Sequence, residues 1–244
     1  MHTDPGSISG SVLSSISRDL SGKNAGDILQ RVADQFKGEI VCATSFGLED
    51  QVLTDLIIRQ GLQIPLVTLD TGRLFPETYE LWERTEQRYG IRIQAFFPLS
   101  SSVEQLVNER GINSFTQSVE YRKDCCRVRK LEPLSRALKD QKAWICGLRR
   151  SQSVTRQSVE AVEWDSAHGL YKFNPLFDWS EDDLRQYIKA YDVPYNALHD
   201  RGFPSIGCAC CTRAVRLCDD VRQGRWWWEE PEHKECGLHN RPRH

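Results

Sequence analysis

The sequence predicts an α/β protein built on a doubly wound, mainly parallel sheet with helices on both faces. Short apolar runs alternate with amphipathic stretches, several of those runs end in polar turns, and 244 residues suffice for one large α/β domain. At 39% hydrophobic and 27% charged, the chain can bury a core and is neither disordered nor fibrous. Its 32 basic residues against 34 acidic ones give a formal net charge of −2, which excludes general nucleic-acid binding by charge. No run approaches the ~18 apolar residues of a membrane span. Residues 1–6 lack the charged and apolar regions of a secretory leader. The expectation is a soluble, cytoplasmic protein with no membrane or nucleic-acid partner.

The first 25 or so residues are rich in Ser and Gly and predict a loose arm or one short helix. From Ile28 the pattern becomes regular. Glu39 to Thr44 is a short apolar run suited to a buried strand, and after a polar turn Val52, Leu53, Leu56 and Ile57 recur on one helical face. Ile64 to Leu69 predicts a second strand, tolerating Pro65 near its start. Pro76 to Tyr89 reads as a helix opened by proline and closed near Gly90. Ile91 to Phe97 and Ala143 to Gly147 predict further strands, with a short helix over Val103 to Glu109. Ser180 followed by Glu181, Asp182 and Asp183 resembles a helix cap with an acidic first turn, and Leu184, Tyr187 and Ile188 mark the helix. The organisation expected is an N-terminal arm over 1–27, a nucleotide-binding α/β domain over 28–204, and a Cys- and Trp-rich segment over 205–244 belonging to the same domain.

In such a sheet, ligands bind beyond the carboxyl ends of the strands, where turn N–H groups hold anions. Ser45, Gly47 and the acidic pair Glu49 and Asp50 follow the first strand, and Asp70-Thr71-Gly72-Arg73 follows the second. Taken alone, a Ser/Gly turn is usually only a turn. Gly147-Leu148-Arg149-Arg150 follows the fourth strand and Arg156 comes soon after, three basic residues with no acid. Arg122 to Lys130 holds five basic residues and one acid. A solvated helix face is the bland account of such a run. Its cysteine pair and arginine's planar fork point instead to an anion.

Nine cysteines are many for a cytosolic chain, and the odd number argues against a full disulfide framework. Cys42 and Cys146 sit in apolar stretches and predict core packing. Cys125 and Cys126 are adjacent, and Cys208 and Cys211 form a C-x-x-C pair with Cys210 between them. Two thiolates from each place give the four sulfurs of a [4Fe–4S] cluster. A C-x-x-C by itself equally describes a zinc hairpin or a dithiol redox pair, and the spacing leaves Cys210 open as an alternative ligand. Arg127, Arg129 and Lys130 are able to offset an anionic cluster. Cys236 stands among His233, Lys234 and His239, cationic neighbours that raise a thiol's thiolate fraction. A surface cysteine on a floppy tail is the plainer reading. Arg222 and Arg225 precede Trp226-Trp227-Trp228, which suits a hydrophobic anchor for the tail or a subunit interface.

Taken in order, Ser45-Phe46-Gly47-Leu48-Glu49-Asp50, Asp70-Thr71-Gly72-Arg73, the Cys125-Cys126 segment through Lys130, Gly147-Leu148-Arg149-Arg150, Gly207 to Arg213, and Lys234-Glu235-Cys236-Gly237-Leu238-His239 resemble the assimilatory adenylyl-sulfate (APS) reductases, within the PAPS/APS reductase family. The likeness runs from about Ile28 to His239. It implies an adenine-nucleotide α-hydrolase-like (Rossmann-like) fold and one [4Fe–4S] cluster per chain on Cys125, Cys126, Cys208 and Cys211. It implies Cys236 as nucleophile, with Lys130 between cluster and substrate and His239 beside it as catalytic residues. Ser45, Gly47, Asp70, Gly147, Arg149, Arg156, Arg222 and Arg225 become candidate substrate-binding residues. Segment 205–244 would then supply the cluster-ligand loop and a mobile catalytic tail. The implied partners are adenosine 5′-phosphosulfate and reduced thioredoxin, with a homo-oligomer as an option because family members form dimers or tetramers. The chain departs from the family in carrying Cys210 where proline is usual and Cys218 where glycine is common.

The activity implied is thioredoxin-dependent reduction of adenosine 5′-phosphosulfate to sulfite and AMP through a cysteine S-sulfonate, in sulfate assimilation and cysteine biosynthesis. Rivals are a PAPS or dual-substrate reductase, a PP-loop sulfurtransferase and a non-enzymatic metal or redox module. Phe46 stands where the PP-loop turn needs its second glycine, which disfavours ATP cleavage.

Overall fold

The computed structural model describes residues 5–153, 156–216, 221–230, 234 and 237–238, with side chains from residue 12 onward. Among these the strands are β1 (Ile40–Thr44), β2 (Leu66–Leu69), β3 (Gln94–Phe96), β4 (Ala143–Ile145), β5 (Val162–Asp165) and β6 (Leu170–Phe173). The α-helices are α1 (Pro5–Leu20), α2 (Ala25–Gln35), α3 (Leu48–Arg59), α4 (Pro76–Tyr89), α5 (Ser100–Arg110), α6 (Val119–Cys126), α7 (Glu132–Ala137) and α8 (Glu181–Tyr191). Where Ser and Gly predict a loose arm or one short helix, α1 runs for 16 residues. Ile16 and Leu20 are buried on it, and that anchoring outweighs weak local propensity.

The chain forms two compact units, Met1–Leu66 with Asp140–Tyr195, and Val67–Lys139 with Asn196–His244. In the first unit the strand order is β1-β4-β6-β5. β1 pairs with β4 in parallel, Cys42 opposite Ile145, and β4 pairs with β6 in parallel. Only β5 runs antiparallel, as a hairpin with β6 (Trp164 opposite Tyr171) that the apolar runs did not announce. On the edge of β1 away from β4, Cys42 N–H donates to the carbonyl of Pro65 at 2.9 Å. β1 therefore lies between β4 and the segment entering β2. That reversal of direction is a topological switch point, where sheets of this class open a crevice for ligands.

Local chemistry sets the helices of this unit. Asn24 accepts from Asp27 N–H to start α2, which buries Ile28, Leu29 and Val32 at helical spacing. Ser180 and Asp183 form a reciprocal capping box at α8, and Leu184 and Ile188 are buried on its inner face.

In the second unit β2 pairs with β3 in parallel, Thr68 opposite Ala95. α4 occupies the predicted span, with proline in its first turn and Gly90 left-handed at φ 63°. Beyond α6 the chain winds one π-helical turn, Arg127–Leu131, before α7. Such turns are rare and gather at functional sites.

Candidate functional site

Two groups of candidate residues emerge, one in each unit. In the first, β1 ends at Thr44 and α3 starts at Leu48, with Gly47 as its N-cap and no side chain capping it. Phe46 between them is buried yet left-handed at φ 61°, a conformation that strains any residue with a Cβ. Ser45 is exposed. Its backbone N–H and its hydroxyl both donate to Asp50 Oδ2, at 2.6 and 2.7 Å. Burial pushes the Asp50 carboxyl up to about 6, against the pull of those two Ser45 bonds.

Gly147, just past β4, closes tightly on this turn. A Cβ there would stand 2.6 Å from Glu49 Cβ and 2.7 Å from Asp50 Oδ1, so only glycine fits. Arg149 is 5% exposed and internally satisfied. Its Nε and Nη2 meet Glu49 Oε1 at 2.9 and 2.8 Å, and its Nη1 meets Ser151 Oγ at 2.6 Å and the Trp179 carbonyl at 3.1 Å. Gln152 donates to the Gly147 carbonyl and accepts from Arg149 N–H and from Arg156. Ser45, Gly47, Gly147, Arg149 and Arg156 thus belong to one network. Sequence reasoning missed its organisers, Gln152 and the role of Glu49, which sit 100 residues from their partner or carry no charge.

Cys42 and Cys146 are buried beneath this turn, as their apolar flanks predict. Burial raises both thiols, Cys146 to about 12, and Cys146 Sγ donates to Asn174 Oδ1 at 3.1 Å.

In the second unit the turn after β2 is fixed by Asp70, whose Oδ1 accepts from Gly72 N–H at 2.8 Å and from Tyr79 Oη at 2.9 Å. Burial and that carboxylate push the Tyr79 phenol up to about 12. The neighbouring residues lead to the sulfurs. Thr71 Oγ1 lies 3.3 Å from Cys208 Sγ, the Arg73 carbonyl accepts from Ala209 N–H at 2.8 Å, and Arg129 donates to the Thr71 carbonyl at 2.7 Å.

Five sulfurs line one small cavity: Cys125 and Cys126 from the end of α6, and Cys208, Cys210 and Cys211 from a short 3₁₀ turn. Arg73, Arg122, Arg129, Lys130, Phe115 and Trp226 complete its wall. Cys42, Cys125, Cys126, Cys146, Cys208, Cys210 and Cys211 are all outside disulfides. Cys210 and Cys211 lie 3.8 Å apart, sulfur to sulfur. The hydrogen bond from the Cys211 thiol lowers the Cys210 pKa, with help from Arg73 against burial, and raises that of Cys211 in turn. Burial also raises Cys125.

Four buried donors in this unit lack acceptors among the described residues: Arg129 Nε, Arg225 Nε, Trp226 Nε1 and Trp228 Nε1. An orphaned buried donor costs about 1–3 kcal/mol, and two of the four, on Arg129 and Trp226, belong to residues of the cavity wall, which suits an anionic group there. Among the described residues no three His, Cys, Asp or Glu side chains are gathered to hold a metal ion. A single tetrahedral ion with sulfur bonds of about 2.3 Å would draw its thiolates to within about 4 Å of each other. Five thiols on one wall exceed the four that such an ion takes. Cysteine thiolates from two segments are also the donor set that an iron–sulfur cluster takes.

A strap closes this unit. Arg122, fully buried in α6, grips Glu229 with Nε and Nη2 at 2.9 and 2.7 Å and lies 4.8 Å from the Trp226 ring. Burial works against its charge, but Glu229 and the Cys126 sulfur outweigh it and hold its pKa above the ordinary value. Trp226 N–H donates to the Cys211 carbonyl at 3.1 Å, and Trp228 stacks 6.0 Å from Phe115. The tryptophan run is therefore an anchor through Trp226 and Trp228, while Trp227 is exposed. Arg225 lies over Trp226 at 4.7 Å, pressed so closely on Gly207 that a Cβ there would stand 2.3 Å from its guanidinium. Arg222 donates to the Lys234 carbonyl at 2.6 Å. Arg127 departs from expectation. It is half exposed and paired with Glu132 and Asp124, because the π-helical turn brings Arg129 and Lys130 to the cavity instead. Cys236, His239 and Cys218 lie outside the described residues.

The model of the phosphoadenosine phosphosulfate reductase domain matches residues 39–214. The chain is 56% identical over 202 residues to an adenosine 5′-phosphosulfate reductase of Allochromatium vinosum, covering 83% of this chain and 79% of that one. It is 49% identical over 221 residues to one from Sinorhizobium fredii, covering 91% and 86%. Among solved structures, the phosphoadenylyl-sulfate (PAPS) reductase of Candida auris superposes with a TM-score of 0.72 at 25% identity, over 88% of this chain and 99% of that one. Yeast FAD synthetase, at 13% identity and a TM-score of 0.53, shares the fold alone.

Proposed function

The chain belongs to the phosphoadenosine phosphosulfate reductase family, and from that premise we propose that it reduces adenosine 5′-phosphosulfate to sulfite and AMP with electrons from reduced thioredoxin, in sulfate assimilation. The observation behind this reading is the five-sulfur cavity with its orphaned donors, in a chain 56% identical to an adenosine 5′-phosphosulfate reductase. Cys125, Cys126, Cys208 and Cys211 would hold a [4Fe–4S] cluster there. When bound, the cluster would supply local field and substrate positioning and need not change its redox state.

The chain's own residues do the rest. The Cys236 thiolate attacks the substrate sulfur, the sulfur–oxygen bond to AMP breaks, and AMP leaves with the electron pair while sulfonate stays on Cys236. One thiolate of reduced thioredoxin then attacks the Cys236 sulfur and expels sulfite. The second thioredoxin thiol resolves the mixed disulfide and restores Cys236. The α3 N-terminus, which no side chain caps at Gly47, offers backbone donors to an anionic group of the substrate, and exposed Ser45, held by Asp50, shapes the turn that presents them. Arg149, bonded to Glu49, holds that turn in shape, with Gly147 and Arg156. Asp70 fixes the second turn, Lys130 faces the cysteine cavity, and Arg222, Arg225 and His239 serve the anionic end. Cytoplasmic location fits the free thiols and thioredoxin. Among the described residues no helix is long and apolar enough to cross a membrane.

The test is Cys236→Ser. We expect sulfite release to fall by at least about a thousandfold and the sulfite-labile adduct to disappear, seen by mass spectrometry of enzyme incubated with substrate alone. A fully active serine variant refutes the reading. The 3′-phosphorylated nucleotide named for the family model and the Candida auris structure is the second reading, and kcat/KM for the two nucleotides decides between them.

A further inference from the structure

The turn that supplies Cys208 and Cys211 brings a third sulfur to the same wall. Cys208 caps a single 3₁₀ turn, with Cys211 N–H on its carbonyl at 2.9 Å, and Cys208, Cys210 and Cys211 all line the cavity. Cys210 Sγ lies 3.8 Å from Cys211 Sγ and 3.6 Å from the Arg73 guanidinium. Arg129, only 7% exposed, lines the cavity too, with its Nε unbonded, so the space before these sulfurs needs an acceptor.

We propose that Cys210 is a reserve ligand for the iron–sulfur cluster, taking the iron of Cys211 whenever that sulfur is missing or blocked. The inference rests on the cluster reading above. One χ1 rotamer change sweeps a thiol sulfur through about 3 Å, comparable with the gap between the two cysteines. In the exchange one iron–sulfur bond forms and one breaks, the entering thiol gives its proton to solvent, and no electron moves.

The experiment counts iron and acid-labile sulfide in anaerobically purified full-length chains, with visible absorption alongside and circular dichroism to check folding. Wild type and Cys210→Ala should hold equal amounts. Cys211→Ala should keep at least about half of the wild-type iron with a shifted absorption band, whereas Cys210→Ala/Cys211→Ala should keep less than about a tenth. Equal loss in the single and double variants overturns the proposal. Should Cys211→Ala not fold, Cys211→Ser against Cys210→Ala/Cys211→Ser makes the same comparison, and an iron ratio near one overturns it. Wild type without iron refutes the cluster itself, and Cys210's role falls with it.

Discussion

The two strand-end sites are built on opposite plans. In the first unit the polar groups satisfy one another: Arg149 spends its guanidinium on Glu49, Ser151 and Trp179, and Ser45 spends two donors on Asp50. In the second unit Arg129, Arg225, Trp226 and Trp228 each keep a buried side-chain donor that meets no acceptor among the described residues. A saturated network holds a shape without help. An unsaturated one is stable only because something else holds it together until its ligand arrives, and here that something is the ion pair of Arg122 and Glu229 across the tryptophan strap. Preorganisation thus resides in the polar network of one unit and in a buried clasp of the other.

Removing the clasp is the most forceful way to break this contrast. Arg122→Ala leaves Glu229 buried without its partner and should cost about 3–5 kcal/mol in denaturant unfolding, together with most of the bound iron. Arg122→Met/Glu229→Leu, which removes both charges and keeps the volume, should recover most of the stability. A loss below about 1 kcal/mol for Arg122→Ala would mean that the strap is held by its tryptophans alone.

The saturated network yields to pH. Asp50 is raised to about 6 in the folded chain, above the ~4 of an unfolded aspartate. Its contribution is fully present below about pH 4 and is lost as pH rises through about 6, because the unfolded chain releases the proton first. Wild type should therefore lose up to roughly 3 kcal/mol relative to Asp50→Asn between pH 4 and 7, measured by urea midpoints across that range. Parallel curves for the two chains sink the assignment.

Much of this arrangement was legible because it is local. α4 was readable at both ends from Pro76 and Gly90, α8 from Ser180 and Asp183, and both phosphate-type turns from the apolar runs before them. Four sulfurs of the cavity, Cys125, Cys126, Cys208 and Cys211, were legible as a set from their pairing in polar surroundings, with Cys210 left open beside them. What escaped depends on partners far along the chain. Arg122 and Glu229 are 107 residues apart, and nothing in a charge run distinguishes the buried member from its solvated neighbours. The β5–β6 hairpin escaped because Lys172, buried near Glu163, interrupts the apolar face of β6. The π-helical turn leaves no mark in composition, yet it decides which arginines reach the cavity.

That last point gives the smallest expected effect and the finest test of the contrast. Arg127 and Arg129 are two residues apart in the same basic run, and the sequence assigns both to an anionic cluster. Arg127 has a half-exposed side chain paired with Glu132, and an exposed pair of this kind contributes about 0–1 kcal/mol. Arg129 is buried on the cavity wall and bonded to the Thr71 carbonyl. Arg127→Ala should therefore change stability by less than about 1 kcal/mol and leave iron content at the wild-type level. Arg129→Ala should lower iron content while both chains remain folded by circular dichroism. Equal iron loss in the two would show that the run acts through its summed charge, and that the π-helical turn does not sort one arginine from the other.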